Sequence, residues 1–241
     1  MYLNSPAIVL SKTHLNDNTN IVHLYTQAQG CVSFIVKIPK SSKTQIKTNL
    51  FQPLNSISVE WDHKANKNLQ HISNIHILHT YATLMATPHK NIVTTLLSEV
   101  LYHATKQDHQ GDLYPFIIES LLWYDKAQLH YENFQLAFLM RLISQLGFQP
   151  NTDNPYGYAY FDLQSATYIP TQPNHNYYLR QEDSQYIPIF MDLHYTNMHL
   201  LRTTHQQRYR ALKIITTYYK LHISDFPALK SIDIVNQLLS N

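Results

Sequence analysis

Lysines at 37, 40, 43 and 47 punctuate the segment Lys37–Thr48 at every third or fourth residue, with no acid among them. That pattern suits a polyanion, because an ammonium is a compact charge that needs no fixed geometry to sit beside a phosphate. The competing reading is a solvated loop whose lysines discourage pairing at a sheet edge. A second basic island, Arg202, Arg208, Arg210, Lys213 and Lys220, lies in a stretch without acids from Leu193 to Ser224. Arg208, Arg210 and Lys213 are the expected second nucleic-acid contact; the alternative is that Arg208 and Lys213 pair with acids of their own fold. No arginine precedes Arg141, so bidentate reading of guanine by the first part of the chain is not expected, and binding there should be nonspecific and salt-sensitive. Tyr25, Phe34, Phe51 and Trp61 are either base-stacking platforms or core filling, with core filling favoured.

Catalytic chemistry leaves no comparable trace. The chain of 241 residues has no GxSxG, Walker loop, GxGxxG or HExxH, and only four glycines, too few for a phosphate-cradling loop. Of its 15 histidines, His71, His76 and His79 are neighbours, as are His194, His199 and His205, but neither set has the i, i+4 spacing that puts two imidazoles on one helical face. No metal and no cofactor are expected, and the missing motifs count against an enzyme without excluding one. Cys31 is the single cysteine, which excludes an internal disulfide and a multi-cysteine zinc site; with no basic residue nearby it reads as a small buried or edge residue. The opening MYLNSPAIVLSKTH lacks the apolar core of a signal peptide, and no run approaches the roughly 18 apolar residues of a membrane span. A cytoplasmic protein without membrane contact is expected.

Charged residues are only 14% of the chain, and polarity comes instead from 18 Asn, 18 Gln, 18 Tyr and the histidines. Residues 1–80 carry seven lysines against Asp17, Glu60 and Asp62; residues 81–150 carry four bases and six acids; the remainder balances. Two basic islands thus flank an acidic middle.

The elements that must position these residues change period near residue 80. Ala7–Leu10, Ile21–Thr26, Val32–Lys37, Leu54–Glu60 and Gln70–His79 read as short strands, with a hairpin turn at Gly30 that needs positive φ and a polar turn at DHKANKN. Five such strands suggest a small barrel. Helices are then expected from Thr87-Pro88, from about Asp112, and over Glu132–Leu146 with Gly147 as the C-terminal cap. Pro150, Pro155, Pro170 and Pro173 interrupt the pattern, and YFDLQSATYIP reads as a hairpin. Helix returns at Arg180–Ile187, at Thr204–Leu221 and after Ser231. The fold class is α+β: a small barrel over residues 1–80, whose topology the strand count does not fix, then a mainly helical domain over 81–241 with an irregular module at about 148–180.

At this point the chain resembles the RecO family of bacterial DNA-repair and recombination mediators. The likeness lies in AIVLSKTHLNDNTNIVHLYTQAQGCVSFIVK, in KTNLFQPLNSISVEWDHKANKNLQHISNI, in LISQLGFQP and YFDL, and in the terminal YYKLHISDFPALKSIDIV. It implies an N-terminal OB-fold, and a helical domain interrupted by a small module that binds zinc in some members. It also implies binding and annealing of single- and double-stranded DNA, and contacts with RecR and with the C-terminal tail of the single-strand-binding protein. Lys37, Lys40 and Lys43 match the basic stretch where the family's DNA contact is assigned, although Ile38 stands where a glycine is usual and Lys40 where an arginine is usual. Tyr156–Pro173 carries no cysteine and resembles the zinc-free branch. Two other classes remain open: a protein-interaction adaptor whose helical unit grips an acidic peptide, with Arg141 at the rim, and an RNA-binding OB protein.

Overall fold

The computed structural model describes residues 1–37, 49–153 and 158–238. Lys40, Lys43 and Lys47 lie outside the described residues.

Five strands, β1 (Tyr2–Asn16), β2 (Thr19–Thr26), β3 (Gly30–Lys37), β4 (Ser56–Asp62) and β5 (Leu69–His79), close into a barrel in the order β1-β2-β3-β5-β4. Closure depends on the length of β1. Its first half, Tyr2–Ile8, pairs antiparallel with β4, while Ala7–Asn16 pairs with β2. A short parallel ladder, Ser33–Ile35 against Leu69–His71, completes the ring. This topology is that of an OB-fold, and it removes the sheet edges that five short strands would otherwise expose.

Alternation along each strand sends Ala7, Val9, Val22, Leu24, Val32, Phe34, Ile57, Val59 and Trp61 inward with Phe51. Phe34 and Trp61 meet edge to face at 5.5 Å. Truncating such a ring to alanine costs about 3–5 kcal/mol, so these aromatics hold the barrel together. Tyr25, Phe34, Phe51 and Trp61 are all buried, which removes them as stacking platforms.

Helices α1 (Pro88–Thr105) and α2 (Tyr114–Lys126) belong to the same compact unit as the barrel, which runs from Met1 to Lys126. The β2–β3 turn explains the attachment. Gly30 has φ +58°, as its hairpin requires, and a β-carbon there would collide with the backbone carbonyl of Asp108. Across that contact the Cys31 N–H donates to Asp108 O at 2.8 Å, the Tyr25 hydroxyl donates to the Asp108 carboxylate, and the Leu113 N–H donates to Tyr25 Oη at 3.1 Å. A second polar knot ties the strand-to-helix connection to the end of α2. The Asp125 carboxylate accepts the N–H groups of Ala82, Thr83 and Leu84, while Lys90, 2% exposed, donates to Thr83 Oγ1 and to the carbonyls of Tyr124 and Asp125. Burial pulls the Lys90 ammonium below the ordinary lysine range, against the opposing pull of Asp125. For Asp125, burial alone would raise the carboxyl; the three backbone donors override it and hold it below the usual range.

The second unit begins at Ala127. Its core helix α3 (Phe134–Gln145) ends at Gly147, whose φ of +80° gives the expected left-handed cap. A three-stranded sheet in the order β7-β6-β8 follows, from β6 (Tyr160–Asp162), β7 (Thr167–Ile169) and β8 (Tyr178–Arg180). The hairpin is the expected one; β8 is not visible in the sequence because three residues carry no usable period. Two short helices, α4 (Gln181–Ser184) and α5 (Tyr186–Met191), lead to α6 (His205–His222), which opens with a Thr204/Gln207 capping box, and to α7 (Ser231–Leu238).

Candidate nucleic-acid interface

In the barrel the exposed cations gather at turns and strand ends. Lys37 is the last residue of β3 and sits opposite Thr19, where β2 begins. Asn16 pairs with the same Thr19, so Lys37 stands beside the β1–β2 turn. Lys12 lies on the projecting part of this hairpin, where β1 has left β4 and most side chains are exposed. Such OB barrels bind polymers on the β2–β3 surface between the β1–β2 and β4–β5 turns.

The β4–β5 turn is the other basic edge. Lys64 and Lys67 are exposed on it, and buried Gln70 fixes its shape. The Gln70 side chain accepts the Lys64 N–H at 3.0 Å and donates to the carbonyls of Lys64 (2.9 Å) and Lys67 (2.7 Å). The ammonium of Lys64 comes no nearer than 4.0 Å to Asp62, which also holds the N-terminal ammonium at 3.2 Å. Among the described residues, no carboxylate pairs with Lys12, Lys37 or Lys67. Lys12, Lys64 and Lys67 are present in the sequence, in a hairpin and in the DHKANKN turn, but more sparsely than the lysines of the 37–47 run. The exposed aromatic at this edge is Tyr2, opposite Asp62 in the ladder and donating to Glu60 at 2.7 Å. On the β2 side, the His23 ring lies tilted against Tyr102 of α1 at 4.7 Å, and burial with Lys106 nearby lowers its imidazole pKa. Cys31 is partly buried, and that desolvation pushes its thiol up to about 11, so it is no nucleophile near neutral pH.

The second island has a different construction. Arg208, Arg210 and Lys213 all lie on α6, yet at 100° per residue Arg208 points away from the other two. The structure therefore does not gather the expected trio into one patch. Arg208 is half-buried and donates to Thr203 O at 2.7 Å; Thr203 Oγ1 donates to Asn133, and the Asn133 amide donates to the carbonyls of Met198 and Leu201. Desolvation lowers the Arg208 pKa, with Glu132 opposing. Arg210 forms an ion pair with Asp183, whereas the exposed Lys213 lies 4.6 Å from the ring of Tyr209. Arg141 lies over the ring of Tyr195 at 4.8 Å.

Arg210 borders a groove of about 230 Å³ between α4–α5 and α6. Tyr186, Phe190, Leu201 and Ile214 give it apolar walls; Arg202, Arg210, Glu182 and Asp183 supply its charges. Among the described residues no group of histidine, cysteine and carboxylate is placed to hold a metal ion. Among the described residues no helix is long and apolar enough to cross a membrane.

A barrel with basic turns, joined to a helical unit with a small sheet, agrees with what comparison to known proteins finds. Residues 1–81 match the family model for the recombination protein O N terminal, and residues 85–231 that for its C terminal. The chain is 37% identical over 234 residues to the DNA repair protein RecO of Phocaeicola vulgatus, covering 97% of each. It is 36% identical over 233 residues to that of Bacteroides fragilis (96% of each), and 30% identical over 247 residues to that of Porphyromonas gingivalis (99% of each). With both halves matched in order and nearly the whole length aligned, the chain belongs to the RecO family of DNA repair proteins.

Proposed function

We propose that this RecO-family protein binds single- and double-stranded DNA through the basic turns of its barrel, anneals complementary strands, and with RecR helps load recombinase on gapped DNA. The observation that carries this reading is the set of exposed lysines, Lys12, Lys37, Lys64 and Lys67, on the arm and beside the turn of the β1–β2 hairpin and on the β4–β5 turn, which flank the surface by which OB barrels bind polymers. Annealing needs no covalent catalyst. Two polyanions repel, and a protein that neutralises phosphates while leaving base edges uncovered lowers that barrier. Lys40, Lys43 and Lys47 extend the same run in sequence and are included in the proposed contact. Residues 1–80 are accordingly proposed as the DNA-binding segment. Arg210 and Lys213 are proposed as weaker contributors, and Arg208 as the weakest, because its guanidinium already donates to the Thr203 carbonyl.

A second reading concerns the groove between α4–α5 and α6. Apolar walls beside Arg202 and Arg210, whose charges Glu182 and Asp183 offset, fit a peptide that ends in an apolar residue and carries acidic side chains able to displace those carboxylates, which is the chemistry expected of the tail of the single-strand-binding protein.

The test of the first reading follows the annealing of complementary oligonucleotides by fluorescence quenching. Changing Lys12, Lys37, Lys64 and Lys67 together to Glu should remove the acceleration over the spontaneous rate. Unaltered annealing by that variant, with its fold intact by circular dichroism, defeats the reading.

A further inference from the structure

The charges around the groove cancel: Arg202 and Arg210 face Glu182 and Asp183. Asp183 engages directly, accepting from Arg210 Nη2. It is the more sheltered partner, 20% exposed against 66% for Arg210, and it stands on the short helix α4 at the groove's edge. We propose that Asp183 is a built-in competitor that occupies Arg210 in place of a ligand carboxylate and so keeps acidic peptides exchangeable in this groove. The proposal rests on the reading of the groove as an acidic-tail site.

The physical argument compares two roles for Asp183. As a positioner, it steadies the guanidinium by one hydrogen bond and leaves other N–H donors of Arg210 for a ligand. As a charge, it offsets Arg210 and repels an incoming carboxylate at short range. The second effect dominates for an anionic ligand, because like charges juxtaposed at an interface oppose association and slow the encounter. Asparagine separates the two roles: its carbonyl still accepts from Arg210, but the negative charge is gone.

The experiment titrates the full chain into a fluorescein-labelled peptide that has acidic side chains and ends in an apolar residue with a free carboxylate, read by anisotropy. Asp183→Asn should bind about 1.4- to five-fold tighter, the range that 0.2–1 kcal/mol for an exposed pair allows. Arg210→Gln should bind more weakly, and adding Asp183→Asn to Arg210→Gln should give no gain. Asp183→Ser serves as a second variant, with the same direction expected, should the Asn variant melt early. If the wild-type protein binds the peptide and both Asp183 variants bind equally or more weakly, the competitor role is overturned and the groove reading survives. If neither wild type nor Asp183→Asn binds, or if Arg210→Gln changes nothing, the groove reading fails and takes the competitor role with it.

Discussion

The lysines of the barrel and the cations of α6 look alike in sequence and differ in what surrounds them. Lys12, Lys37 and Lys67 project from a hairpin, a strand end and a turn, and no carboxylate meets them among the described residues. On α6, Arg208 is held by Thr203, Arg210 is matched by Asp183, and Lys213 lies over a tyrosine ring. The difference teaches that basic density along a chain is a poor measure of available charge. A planar guanidinium finds partners within its own fold, whereas a flexible ammonium on a turn stays in water until a polyanion arrives.

The largest effect that sharpens this comparison is on DNA affinity. Reversing Lys37, Lys64 and Lys67 to Glu should weaken single-strand binding at low salt by about a hundredfold, while neutralising Arg208, Arg210 and Lys213 to Gln should change it less than about threefold. Equal losses in filter-binding or anisotropy titrations would erase the contrast. Next comes stability. Arg208→Ala leaves the carbonyl of Thr203 without its charged donor and should cost about 1–3 kcal/mol in urea denaturation, against less than about 0.5 kcal/mol for Lys37→Ala. A harmless Arg208→Ala would mean that the arginine is a surface charge after all.

The smallest effect is a pH dependence in the first unit. Burial lowers the pKa of His23 and of His103, which flank Tyr102, so the folded state holds these protons less tightly than the unfolded chain does. Their contribution is complete above the unfolded value of about 6.5 and fades as pH falls below it. The urea midpoint should drop between pH 7 and pH 5.5, and His23→Gln should flatten part of that drop; a variant with the wild-type slope contradicts the assignment.

Much of the fold was legible because its signals are local. Short runs rich in Ile, Val, Leu, Phe and Tyr marked five strands, Gly30 and Gly147 marked positions that need positive φ, and the Phe134–Ile143 stripe marked the core of α3. What stayed hidden depends on contacts distant in sequence. Nothing near Asp108 announces that it receives the Cys31 N–H and the Tyr25 hydroxyl, and nothing near Arg210 announces Asp183 across 27 residues. Lys90 has the sequence context of a surface helix lysine and is instead buried on carbonyls. The candidate site was half legible: Lys37 and the polar 62–68 turn stand out in the sequence, but the proposed role of Lys64 and Lys67 rests on the closure of the barrel and the clamp of Gln70.

The most direct measurement is the salt dependence of single-strand affinity for the wild-type chain and the Lys12/Lys37/Lys64/Lys67→Glu variant. If these lysines neutralise phosphates, the log–log slope should become shallower by about 0.7 for each phosphate left without its lysine, roughly 3 in total. An unchanged slope in this variant, with a shallower one when Arg208, Arg210 and Lys213 are neutralised instead, would contradict the assignment of the DNA grip to the barrel.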